Sequence, residues 1–167
     1  AIRKYPNNTF ALNGRAATLR DLGRFEEALA QYELTIRKFP NDTVALNGKA
    51  ETLREMGRLE EALSLYQENK NLFRYNRFAE TGYLKILFEK NDYSQLEEIL
   101  RKNTYQTFDD YVDLHMYSML LIRKGDWEEA EEKIQLGLQS PFKKNVTYFE
   151  SALSYLKILN RDYGEAL

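Results

Sequence analysis

The chain carries one histidine, His115, and no cysteine. That excludes disulfides, thiolate metal sites, cysteine nucleophiles and clusters of histidine ligands. An imidazole can serve as a base or a ligand. No motif sets a carboxylate or nucleophile beside His115, so it reads as a polar residue on a helix face. The acidic pairs lie in GRFEEAL, GRLEEAL and GDWEEAE. There they start helices, where carboxylates suit the dipole, and are not paired catalytic acids. No phosphate loop, GxSxG, HExxH or acidic metal cluster occurs. The expectation is therefore no catalytic residue, no metal, no cofactor and no enzyme.

What remains is chemistry of recognition. Asn13 and Asn47 are 34 residues apart, as are Arg20 and Arg54. A carboxamide donates and accepts, so a column of asparagines can hold the backbone of an extended peptide. A guanidinium can grip a carboxylate or phosphate. The competing reading is that both pairs are shared by duplication. The arginines then pair with Asp21, Glu51 or Glu55 on a solvated face.

These side chains need a scaffold, and the composition supplies one. Of 167 residues, 43% are apolar and 30% charged, with net charge -2. That is a globular chain, long enough to bury a core. It has no basic excess, so nucleic acid is not an expected partner. No apolar run reaches the roughly 18 residues of a membrane span, so a membrane is not expected either. Missing cysteine and the absence of a visible targeting segment point to the cytoplasm. Three prolines and eight glycines favour long helices.

The elements repeat. Thr9–Asp42 and Thr43–Asn76 align without a gap and match at 17 of 34 positions. Gly23, Gly57, Asn91 and Gly125 recur every 34 residues. Each slot should end the first helix of a pair in a left-handed conformation, which glycine and then asparagine tolerate best. Phe25, Leu59, Tyr93 and Trp127 follow two residues later, and Ala28, Ala62, Leu96 and Ala130 three further on. Small residues there let the paired helices approach closely. Each pair cannot bury its own apolar face, so neighbours must stack.

The pattern resembles that of tetratricopeptide repeat (TPR) proteins. Repeat one supplies Leu12, Ala16, Gly23, Phe25, Ala28, Tyr32 and Pro40. Repeat two supplies Leu46, Ala50, Gly57, Leu59, Ala62 and Tyr66, with Arg74 in place of proline. Repeat four supplies Leu114, Ser118, Gly125, Trp127, Ala130 and Ile134. Repeats three and five fit less well. The resemblance implies an all-α fold, a right-handed α-α superhelix of antiparallel helix pairs. One array over 1–167 is expected: the end of a preceding repeat at 1–8, repeats at 9–42, 43–76, 77–110 and 111–144, and a partial, degenerate repeat at 145–167. Lys102–Asp110 is expected to be an irregular connection. NRDYGEAL, with its frame slipped, is expected to echo GRFEEAL. Both ends fall within a repeat, so the chain is expected to be a fragment of a longer protein.

In this family the first helix of each pair lines a concave groove with repeat positions 2, 5, 9, 12 and 13. Here that face offers Phe10, Asn13, Ala17 and Arg20 in repeat one, and Val44, Asn47, Glu51 and Arg54 in repeat two. It continues with Phe78, Lys85 and Phe88 in repeat three, and His115, Met119 and Ile122 in repeat four. The chosen polar contacts are Asn13, Arg20, Asn47 and Arg54, both asparagines being expected exposed. Phe78, Phe88, Met119 and Ile122 are the apolar contacts. The family's carboxylate clamp for chaperone tails does not transfer, because Asn13 stands where it has lysine and Ala17 where it has asparagine. The first helix of repeat four is apolar nearly all round and needs cover, from a neighbouring repeat or from a ligand. The resemblance implies a protein-interaction scaffold that binds a partner peptide or helix. A regulatory arm of a larger protein and a self-associating module, hence a homo-oligomer, are the alternatives.

Overall fold

A computed structural model describes residues 8–73, 76–102 and 108–164. Among the described residues there are nine α-helices and no strand. They are α1 (Thr9–Asp21), α2 (Phe25–Lys38), α3 (Thr43–Glu55), α4 (Leu59–Leu72), α5 (Arg77–Glu89), α6 (Tyr93–Leu100), α7 (Phe108–Lys124), α8 (Trp127–Leu138) and α9 (Lys143–Gly164). The chain divides into two compact units, residues 1–86 and 87–167, with the boundary inside α5.

The four turn slots behave as their residue types require. Gly23, Gly57 and Gly125 have φ of 72°, 76° and 81°, and Asn91 takes 59°. After each, the next backbone N–H reaches back to the carbonyl five residues earlier: Arg24 to Leu19, Arg58 to Leu53, Asp92 to Leu87 and Asp126 to Leu121. This closure satisfies carbonyls at the helix end and folds the second helix back on the first. The glutamate pairs then sit in the first turns of α2, α4 and α8. Arg24 forks Glu27, and Arg58 forks Glu61, at 2.6–2.7 Å.

In the first unit α1 packs on α2 and α3 on α4, and α2 and α1 both lie against α3. The small positions are sealed: Ala16, Ala28, Ala50 and Ala62 have no exposed surface. Between pairs, aromatic rings fill glycine gaps. Tyr32 of α2 lies over Gly48 of α3, and Tyr66 of α4 over Gly82 of α5. In the second unit α7 packs on α8, and α9 covers both. There the polarity of the fit reverses. Gly137 of the second helix, α8, makes the gap, and Phe149 of the following helix, α9, fills it. Leu84 and Leu96, large residues at small positions, are both fully buried.

Two expectations are corrected. Phe108–Asp110 form the first turn of α7 and not an irregular connection; residues 103–107 of that stretch lie outside the described residues. The described part of NRDYGEAL does not echo GRFEEAL, because α9 runs through Asn160 to Gly164 with no helix end at that slot. Asparagine inside a helix costs only a few tenths of a kcal/mol more than the average residue, and no glycine stands at that slot to force the reversal. The last three residues of NRDYGEAL lie outside the described residues.

Candidate functional site

Asn13 and Asn47 do not stand free on the surface. They are 6% and 7% exposed, contrary to the expectation of open contacts. Asn13 Nδ2 donates to Asp42 Oδ1 at 2.9 Å, and the same oxygen accepts the Ala45 N–H at 2.8 Å, capping α3. Asn47 Nδ2 donates to Asn76 Oδ1 at 3.0 Å, which accepts the Ala79 N–H at 3.2 Å and caps α5. Asn47 Oδ1 in turn accepts from Asn69 at 3.2 Å and from Asn76 at 3.3 Å. Each asparagine thus ties one first helix to the N-cap of the next. The cap residue closes the repeat and so lies beside position 5 of the preceding first helix. Replacing Asn47 with alanine removes these bonds and strands the buried Asn69 amide. The expected loss is about 2 kcal/mol in urea unfolding, with a smaller loss for Asn13→Ala. Unchanged stability in both variants would refute the coupling.

Both arginines pair with acids of their own helix, Arg20 with the exposed Asp21 and Arg54 with Glu51, which is buried and not on a solvated face. Arg20 Nη2 and Nε donate to Asp21 at 3.1 and 3.3 Å, and Arg20 lies 3.7 Å from Glu55. Arg54 Nε and Nη2 fork Glu51 at 3.0 and 2.8 Å. The Tyr66 hydroxyl donates to Glu51 Oε2 at 2.6 Å. Burial alone would push the Glu51 carboxyl up. The bonds from Arg54 and Tyr66, with the charges of Arg54 and Lys85, outweigh it and hold the carboxyl at about 2. Burial and the neighbouring carboxylate both push the Tyr66 phenol up, so it remains a donor. Glu51, Arg54 and Lys85 are therefore brought together, around a tyrosine that was placed only as packing.

In the second unit the apolar candidates are mostly covered. Ile122 is buried and offers nothing to a partner, a correction to its place among the groove contacts. It lies on the side of α7 that also carries the fully buried Leu114 and Leu121. His115 packs against the Tyr148 and Phe149 rings of α9, with centroids 5.5 and 5.7 Å away. Burial lowers its pKa, so it is neutral near pH 7. Cover of α7 thus comes from the fifth repeat. Phe88 carries the Arg123 guanidinium over its ring at 4.5 Å, and Arg123 also donates to the Tyr93 hydroxyl at 3.1 Å. Met119 is half-buried. The Tyr117 hydroxyl donates to Glu129 and accepts from Arg101, each at 2.8 Å.

What stays open lies in the first unit, at repeat position 2. Phe10, Val44 and Phe78 are 87%, 61% and 55% exposed, one each on α1, α3 and α5. Beside Phe10 and Val44 is a cleft of about 350 Å³, lined by both and by Asn13, Gly14, Ala17 and Tyr32 with Thr9 and Asp42. Of these, only Asn13 was among the chosen contacts. The available signal was position 9, where the two matched repeats carry Ala17 and Glu51. Among the described residues no cluster of three metal-ligating side chains occurs, and no helix is long and apolar enough to cross a membrane.

A tetratricopeptide-repeat family model matches residues 11–38, the α1/α2 pair. A comparison with curated proteins returns no match. Among solved structures, a TPR protein from Parabacteroides merdae superposes with TM-score 0.71 at 18% identity, over 96% of this chain and 64% of that one. This chain thus spans under two thirds of that protein. YrrB, described as a TPR protein with an unusual peptide-binding site, gives 0.67 at 16%, over 100% and 96%. MamA from Desulfovibrio magneticus gives 0.62 at 14%, over 92% and 96%. Stacked helical repeats of this kind build extended binding surfaces. The chain thus has the all-helical fold of tetratricopeptide-repeat proteins, and its α1/α2 pair matches that family's model.

Proposed function

We propose that the first unit binds a peptide segment of a protein partner across its first helices. The observation that carries this is the row of exposed apolar side chains Phe10, Val44 and Phe78, with the cleft beside the first two. Large apolar groups left in water at the same repeat position are a docking surface more readily than a structural one. The likeness to YrrB, a protein with a peptide-binding site, agrees with it. The buried asparagines hold this face in register. The expected partner is protein, not nucleic acid or membrane, and the expected compartment is the cytoplasm.

The test is a photo-cross-linker at residue 44, compared with one at Glu60 on the second helix of the same repeat. Cross-linking of one discrete partner from 44 and not from 60, lost when Phe10→Ala/Phe78→Ala is added, is the expected result, as is loss of that partner's binding in Phe10→Ala/Val44→Ala/Phe78→Ala. The triple variant should keep its melting temperature within about 2 °C, since surface truncations matter little to stability. Equal cross-linking from both positions would move the site off this face.

Self-association is the second reading, favoured by one feature of the second unit. Tyr148, Tyr155 and Ile158 are exposed at helical spacing along α9. A sedimentation series over a hundredfold concentration range, about 1 to 100 μM, decides it.

A further inference from the structure

The two matched repeats differ at the place where chemistry is concentrated. In repeat two, Glu51 fills the space between Arg54, three residues on, and the Tyr66 hydroxyl, fifteen residues on. Repeat one keeps both donors at the same spacing, as Arg20 and Tyr32. Ala17, whose side chain ends at Cβ, stands at the place of Glu51, and with Tyr32 it lines the cleft. The charge of Arg20 acts on the Tyr32 hydroxyl, as that of Arg54 does on Tyr66. Tyr32 donates no hydrogen bond to any described residue. Asn13, more than nine-tenths buried, lines the same cleft with an Oδ1 that has no partner.

We propose that this cleft takes the carboxylate of a glutamate or aspartate from the bound peptide, seated as Glu51 is seated in repeat two. The proposal rests on the reading of this face as a peptide surface and adds the chemistry of the residue it selects. Tyr32 and Arg20 donate to the carboxylate, and Asn13 Oδ1 accepts a backbone N–H of the segment. Phe10 and Val44 hold the apolar residues on either side. Three acidic groups lie nearby, and the charges of Asp21 and Glu55 reach both Arg20 and Tyr32, so an incoming carboxylate competes with them. Asp42 Oδ1 is taken up by Asn13 and Ala45. Asp21 is exposed, so its pair with Arg20 is weak and readily exchanged. Glu55 Oε1 lies 3.7 Å from Arg20 Nε, beyond hydrogen-bond distance, which leaves that pair open to exchange.

Two measurements on the full chain test this. Ala17→Glu should close the cleft from within, as Glu51 does, and raise the melting temperature by roughly 3 °C. That gain should vanish when Arg20→Met or Tyr32→Phe is added. A lower melting temperature for Ala17→Glu, or a gain indifferent to Arg20 and Tyr32, would overturn the preformed site. The ligand is represented by acetyl-Leu-Glu-Leu-Leu-amide against its Gln analogue, titrated by NMR to about 10 mM. The expected result is shifts at Ala17 and Tyr32, at least about fivefold tighter binding of the Glu peptide, and its loss in Ala17→Glu. Equal binding of the two peptides, abolished by the Phe10/Val44/Phe78 triple variant, would overturn the carboxylate while leaving the peptide surface in place. Binding of neither peptide would overturn the proposal.

Discussion

Gly82→Ala is expected to destabilise the protein by about 2–3 kcal/mol, whereas Gly14→Ala, at the same repeat position, is expected to stabilise it by about 1 kcal/mol. A Cβ on residue 82 would lie within 2.6 Å of three ring atoms of Tyr66, closer than real carbon contacts come. The ring cannot retreat easily. Tyr66 is fully buried and anchored to Glu51 through its hydroxyl. Displacing it forces overpacking and breaks that bond, which together exceed the roughly 1 kcal/mol of helix propensity that alanine gains over glycine. At Gly14 a Cβ meets nothing within 4 Å, so only the propensity gain remains. Chemical unfolding of the two variants reads the difference directly. Similar shifts of the same sign would mean that the ring of Tyr66 is free to move.

Glu51→Ala should be the other large effect, about 3 kcal/mol at pH 7, because it leaves the Tyr66 hydroxyl and the Arg54 guanidinium without their shared acceptor. The same pair predicts a pH dependence. The carboxyl is held at about 2 in the folded chain against 4.5 ordinarily. A depressed folded pKa means that the carboxylate's stabilisation is complete above 4.5. It is lost as the pH falls from there towards 2, a span worth about 3 kcal/mol. Wild-type stability should therefore drop across that window more steeply than that of Glu51→Gln, which has no proton to take up. The glutamine keeps an acceptor for Tyr66 but not the ionic fork, so its stability at pH 7 should fall between the other two. Parallel pH profiles for wild type and Glu51→Gln would show that Glu51 titrates as an ordinary surface acid.

Most of the fold was legible in the residues. Gly23, Gly57, Asn91 and Gly125 mark left-handed helix ends because few other residues take positive φ cheaply. The alanines five residues on are buried because a larger side chain would part the helices. These are local constraints, and a 34-residue period repeats them until they are unmistakable. The fifth repeat was harder for the same reason. Its signals are weak, and α9 ran past Asn160 because nothing local stopped it.

The site was legible only in part. Position 5 points along the first helices in either reading, but whether Asn13 faces a ligand or Asp42 depends on where the next cap lands, 29 residues away. Tyr32 and Tyr66 occupy the same slot with the same packing role. Only three-dimensional neighbours show that the Tyr66 hydroxyl is met by Glu51 while Tyr32 lines a cleft. His115 packs under the Tyr148 and Phe149 rings because α9 lies over α7, a covering that no residue within α7 encodes. Residue type and spacing determined the helices, their ends and the period, since those follow from backbone preference and side-chain size within one or two turns. Tertiary structure decided which polar groups are consumed by the fold and which stay available, since that depends on what distant segments place against them.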